Sequence, residues 1–406
     1  MISTRIKFLD GIRFILALWV VLGHFYTLTG GIKFYAFNTV IQNILLKPIV
    51  AVYGFIILTG FLMMHNYLLR ETKEPANSES TFIKFYLRRF FRLYPLYVIL
   101  LFISFFTFKY ISACAANNLI FFTGSNVTQF GFVRSIIQPG YLDLGAHILL
   151  LQGLLPNLHT ILGVTWSLSL EMQFYFLFPF LFLLFFWNKN SLKIRMPIFI
   201  LTCSLVAFIS PKVIHHFFTQ HHLPDYREPS IILYTMPLFL VGMIMAAVKH
   251  KKLNKLYLFI VLVVVMPFQL VLTNILTCFI LILLFLEEIE SVLPAFIFKF
   301  LSFVDSILSG KLAEFGANIS YSLYLIHTTV ISFVLTIVIS NAQLFNNSKP
   351  LILITSLIIT LAVCLCICFL LYTFIEKPFI LLGKNLINKI SLKRKATANQ
   401  EVMRQV

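Results

Sequence analysis

The sequence predicts an all-α polytopic membrane protein, with about ten transmembrane helices around a polar cavity. Three observations carry this. Of 406 residues, 59% are hydrophobic and only 12% charged, about half the charged share of an ordinary soluble domain. Apolar runs of the roughly 20 residues that a spanning helix needs recur along the whole chain. Basic residues are also distributed unevenly between the connections, as the positive-inside rule requires of a membrane protein. The net charge of +17 is thus a topology signal, and no nucleic-acid partner is expected.

Taken in order, the spans fall at about 8–29, 44–69, 85–112, 163–187, 194–211, 231–249, 255–272, 274–290, 315–341 and 350–374. The first carries Asp10 and Arg13 and ends in a poor cleavage site, so it is expected to stay as a span rather than be removed as a leader. The eighth follows the seventh after only Thr273-Asn274, and the stretch 291–314 reads as an interfacial helix or a partial span. With the N-terminus inside, the inner segments hold 24 Lys and Arg and the outer segments six. That split favours cytoplasmic termini and an even number of spans. Residues 1–383 are read as one transmembrane domain and 384–406 as a basic cytoplasmic tail. The long outer loop, about 113–162, is expected to fold back on itself. The six cysteines read as small embedded hydrophobes. His147 and His159 read as ordinary interfacial residues. His215, His216, His221 and His222 lack an acid or thiol to complete a metal site, so no metal is expected.

The first span sets the chemistry. An ionisable group in a spanning helix costs several kcal/mol and marks a functional site by default. His24 lies eleven residues after Arg13, which returns it to within roughly 20° of the same helix face, about 16 Å further along. Asp10 precedes Arg13 by one turn. Near the inner mouth of span three, Arg89 and Arg92 share a face at i, i+3. They read either as anchors at the headgroups or as a phosphate clamp. Thr165 to Tyr175 opens span four with Trp166, Ser167, Glu171 and Tyr175. By residue count, Glu171 and His24 both lie about 8–12 Å below the outer boundary. They are expected to pair, with Glu171 orienting His24 as a general base. The alternative is that Trp166, Ser167 or Tyr175 satisfies Glu171. In span nine, Ser320, Tyr324 and His327 share one face, and at the inner end of span ten Glu376 is expected either to orient the arginine pair or to be a simple interfacial charge.

These stretches, LDGIRFILALWVVLGHF, YGFIILTGFLM, RRFFRLYP, TWSLSLEMQFYFLFP, ISYSLYLIH and FIEKPF, resemble in the same order the motifs of the integral-membrane acyltransferase family 3, over about residues 8–380. The resemblance implies a multi-pass O-acyltransferase of ten core helices. It implies transfer of an acyl group, commonly acetyl from cytoplasmic acetyl-CoA or another acyl-CoA, to a hydroxyl of a surface glycan or lipid-linked saccharide, with a bacterial inner membrane as the expected setting. It implies His24 as the essential histidine with Arg13 as its partner, and Arg89 and Arg92 as the acyl-CoA site. Trp166, Ser167 and Glu171 match its fourth-span motif, and Ser320, Tyr321 and His327 its ninth. Three positions depart from the family pattern: Met172 replaces a second acid, Phe14 a glycine, and Thr59 a serine. No hydrolase-like domain is expected after span ten. A transporter or flippase would explain intramembrane polar groups equally well, but the two halves show no repeat. A receptor or structural protein would leave Arg13, His24 and Glu171 unexplained.

Overall fold

The computed structural model describes residues 5–30, 47–75, 78–124, 138–155, 160–186, 198–206, 208–209 and 231–405. Among them no strand occurs. Backbone polar groups in lipid must be satisfied within their own segment, and the apolar runs do so as helices. In order these are α1 (Phe8–Leu28), α2 (Ile49–Arg70), α3 (Glu79–Thr123), α4 (Tyr141–Ile148), α5 (Trp166–Phe186), α6 (Ile232–Lys249), α7 (Lys255–Val265), α8 (Val271–Leu284), α9 (Ala295–Leu308), α10 (Lys311–Ser340), α11 (Lys349–Leu371) and α12 (Lys377–Gln405).

Seven of the described helices are long and apolar enough to cross a membrane: α1, α2, α3, α5, α6, α10, and α11 with the helix that continues it. They coincide with expected spans one to four, six, nine and ten. Expected span five is described only at 198–206 and 208–209, where it is helical. Expected spans seven and eight are corrected to shorter helices of 11 and 14 residues, α7 and α8. Pro267 sits in the single 3₁₀ turn that follows α7, where its missing N–H cannot continue the ladder. Expected span three is longer than predicted: α3 has 45 residues and ends where Gly124 takes φ +64°. Residues 113–123, expected in the outer loop, therefore belong to this helix. The described part of that loop forms α4, which Tyr94 and Tyr97 tie to α3 through the carbonyls of Ile148 and His147, at 3.0 and 2.7 Å. Within 291–314 the chain forms α9, with Phe296, Phe300, Phe303 and Ile307 turned outward, and the first turn of α10.

α6 is the buried centre, covered from Thr235 to Val248. Small residues let its neighbours approach backbone to backbone. A Cβ on Gly242 would meet the Ile57 carbonyl oxygen at 2.0 Å, and one on Gly60 would meet that of Phe239 at 2.2 Å, so α2 and α6 touch through bare glycines. α1 packs along α10, where Gly316 lies under the ring of Phe14: an added Cβ would sit 2.0 Å from it. Phe14 thus fills the space beside Gly316 rather than narrowing the cavity described below, which it does not line. Between α11 and α12 the chain makes a π turn, Tyr372–Glu376. The expected boundary at 383/384 falls inside α12, which continues through it and packs on α3.

Candidate active site

At the arginine-rich end of the bundle, a cavity of about 630 Å³ opens between α1, α2, α3, α5, α10 and α12. Its lining on α2 runs from Val52 to Arg70, which at 1.5 Å per residue is about 27 Å. The cavity is therefore long and narrow. Most of the charge lies toward one end, and Phe55, Ser167 and Tyr324 line the other.

The cavity is cationic. Arg5, Arg13, Arg70, Arg88, Arg89 and Arg92 line it with Lys384, against three acids, Asp10, Glu74 and Glu171: seven positive side chains and three negative, or +4. Two of the acids are already committed. Arg5 donates to Asp10 at 2.7 Å and to Glu314 at 2.6 Å. Arg88 grips Glu74 through both terminal nitrogens, at 3.1 and 2.7 Å, the bidentate geometry of a strong pair. Glu171 accepts from the Tyr175 hydroxyl and from Thr59 Oγ1 at 3.3 Å. Arg13 donates to Ser320 Oγ at 3.2 Å, and Arg70 to the Asn66 carbonyl at 3.3 Å. Arg89 lies over the rings of Phe85 and Tyr175, 5.8 and 5.6 Å from their centroids, and its buried Nε has no hydrogen-bond partner among the described residues. Arg92 has neither a hydrogen bond nor an ion pair among them. Such a site has donors to offer an anion that is not part of the protein.

The structure brings ten of the residues singled out in the sequence to this wall. Asp10, Arg13, Arg89, Arg92, Ser167, Glu171, Tyr175, Ser320, Tyr321 and Tyr324 all reach the one cavity. Helical spacing explains it: 89 and 92 share a face of α3, as do 167, 171 and 175 on α5 and 320, 321 and 324 on α10. Trp166 opens α5 half-buried against the core and does not line the cavity. Tyr321 also donates to the Leu93 carbonyl at 2.8 Å, pinning α10 to α3.

Two expected pairings are corrected. Glu376 does not bond the arginines; it is buried and accepts from Ser322 on α10, so it locks the π turn to the bundle. The depth-matched pair of His24 and Glu171 is replaced as well: Glu171 bonds Tyr175 and Thr59, while His24 Nδ1 lies 2.8 Å from Nε2 of His327. The two imidazoles sit one turn beyond Tyr324, whose ring centroid is 6.0 Å from that of His327, and neither lines the cavity. Tyr324 donates to the Val164 carbonyl at 2.9 Å and is 2.7 Å from Ser167 Oγ, so it stands in place between cavity and histidines.

The hydrogen bonds assign the tautomers of this pair. His327 Nδ1 is 2.8 Å from the Tyr324 carbonyl oxygen and 3.2 Å from that of Leu323. Carbonyls only accept, so Nδ1 of the neutral ring holds the proton and Nε2 the lone pair. That lone pair accepts from His24 Nδ1–H. The neutral His24 ring then carries its own lone pair on Nε2, the form of a general base or nucleophile held by a second residue.

Sequence reasoning missed Arg5, Arg70, the Arg88–Glu74 pair, Thr59 as a partner of Glu171, and Lys384 and Asn388. It also missed His65, which lines the cavity and faces His250 Nε2 at 2.8 Å. The run of arginines 70, 88, 89 and 92 around one connection was the available signal. His147 bonds the Asp143 carbonyl at 2.7 Å and accepts from the Ile161 amide at 3.3 Å, an ordinary structural role. His159, His215, His216, His221 and His222 lie outside the described residues. Among the described residues no three metal-ligating side chains gather.

The sequence model of the acyltransferase domain family matches residues 6–373, nearly the whole chain. Neither a curated protein nor a solved structure matches it.

Proposed function

The chain belongs to the acyltransferase domain family, and on that premise we propose that it moves an acyl group, acetyl in the simplest case, from acyl-CoA to a hydroxyl of a surface glycan or lipid-linked saccharide. Both termini and the arginine-rich end face the cytoplasm, in keeping with the bias of Lys and Arg, and a bacterial inner membrane is the setting.

The shape and charge of the cavity carry this reading. CoA bears about four negative charges near neutral pH on its nucleotide end, joined by a long thin arm to an uncharged thioester. The cavity offers a net +4 along its lining, about 27 Å of length, and an uncharged end at Ser167 and Tyr324. Arg89 and Arg92 hold the phosphates, and Arg13, on Ser320, lines the way inward. Glu171, held by Tyr175 and Thr59, belongs to this donor half. His24 Nε2 takes the proton of the acceptor hydroxyl, whose oxygen attacks the thioester carbonyl. The CoA sulfur leaves with a proton. His327 keeps His24 in the required tautomer and acts as a positioning residue.

Purified protein incubated with acetyl-CoA tests this by release of the free CoA thiol, with and without glycan acceptor. Acceptor-dependent release is expected. Transport of the acceptor across vesicles without thiol release would replace this reading with a flippase. Mass spectrometry of surface glycans from cells with and without the gene then reads the acyl mass and the acceptor together.

A further inference from the structure

Resting on the acyl-CoA donor proposed above, we infer that Lys384 and Asn388 of α12 complete the donor site and hold the phosphate monoester on the CoA ribose. α12 begins at Lys377, after the family match ends at residue 373, so no family feature assigns these residues a role. Yet Ile380, Gly383, Lys384, Ile387 and Asn388 all line the cavity. Their spacing, i, i+3, i+4, i+7 and i+8, is one unbroken helix face. A segment that reads in sequence as a basic tail thus presents a stripe to the mouth of the cavity.

Three observations fix that stripe in place. The ring of Phe91 on α3 closes on Gly383, where an added Cβ would stand 2.7 Å from the Phe91 Cβ, so the two helices are in contact beside Arg88, Arg89 and Arg92. The π turn sets the rotation of α12, and Glu376 anchors it through Ser322; insertions of this kind recur at functional sites. Ile387 is buried while Lys384 and Asn388, one turn apart, are exposed at the rim.

The charge ledger of the mouth identifies the ligand. Asp10 is engaged by Arg5 and Glu74 by Arg88. Lys384 has no acidic partner among the described residues, so a cation stands at the rim with an amide one turn away. The donor enters thioester first, which leaves its ribose phosphate outermost, at the level of α12. A phosphate monoester carries up to two charges and three acceptor oxygens, which suits an ammonium with an adjacent amide.

The test uses the full-length protein in detergent and calorimetric titration with CoA and with dephospho-CoA, which lacks that phosphate. In Lys384→Gln, CoA should bind about tenfold more weakly, the loss of one charge-assisted contact, and dephospho-CoA within about twofold of the wild type. Asn388→Ala should cost about threefold for CoA alone, and Lys384→Arg should restore most of the affinity. Lys389→Gln removes the same charge from a position off the cavity face and should bind both ligands normally. Equal losses for both ligands in Lys384→Gln, or no loss for either, would overturn the inference and leave the donor reading standing. A wild type that binds neither ligand would overturn the donor reading and this inference together, before any variant is compared.

Discussion

The two ends of the polar interior differ in what their side chains are free to do. In the arginine-rich half, a 630 Å³ cavity keeps Arg92 without a partner and Arg89 with a bare Nε among the described residues. One turn beyond Tyr324, His24 and His327 do not line that cavity, and the bonds of the neutral pair put the proton of each ring on Nδ1. The first half is built to receive a charged group that arrives from outside. The second is built to hold one lone pair in one direction. A binding site leaves charge uncompensated, because the ligand completes it; a general base has its tautomer settled in advance.

Substitutions can break or sharpen this division. The largest effect is expected at His327. Loss of its ring in His327→Ala frees His24 to take the wrong tautomer, and kcat should fall about a hundredfold with the donor KM unchanged. His327→Gln places an amide oxygen where Nε2 accepted and should recover much of that loss. Steady-state kinetics of both variants check this, and equal loss in the two would mean that His327 only fills space. Next comes Arg92→Ala, which removes a cation from the donor half alone. Its donor KM should rise about tenfold to thirtyfold, the worth of one charged hydrogen bond at roughly 1.5–2 kcal/mol, at unchanged kcat. A fall in kcat of the same size would show that the halves are not separate. The smallest effect is expected at Glu171→Gln, which keeps the contacts with Tyr175 and Thr59 but not the charge. The donor KM should change about threefold, in either direction, and the pH profile of kcat should stay where it is. A shifted profile would mean that Glu171 does act on His24.

That last case marks where the sequence stopped being informative. Residue counting placed Glu171 and His24 at similar depth, yet Ser167 and Tyr324 meet between them, with Glu171 one turn to the cavity side and His24, against His327, one turn beyond. Depth says nothing about azimuth. The direction in which His24 points follows from the packing of α1 along α10, with Phe14 seated on Gly316, a contact between residues some 300 positions apart. Glu171 instead faces Thr59 on α2. Pairs within one helix were readable, since 89 with 92, 167 with 171 and 320 with 324 follow from the helical repeat alone. The cavity-facing side of α12 was not legible for a related reason. Its lysines are as frequent as those of a solvated tail, and only the contact of Gly383 with Phe91 shows that one side of it is a wall. The shortfall in spans seven and eight was foreshadowed by Pro267 and Asn274. The Asn274 side chain bonds the Met266 carbonyl at 2.9 Å and ties the two short helices together.

The most direct test of the division is calorimetric titration of CoA into the wild type and His24→Ala, both purified from the membrane, with acyl transfer assayed on the same samples. We predict that His24→Ala binds CoA within about twofold of the wild type while transfer falls at least a thousandfold, the upper range for loss of a general base. A variant that loses CoA binding along with transfer, or one that transfers at the wild-type rate, would contradict the account.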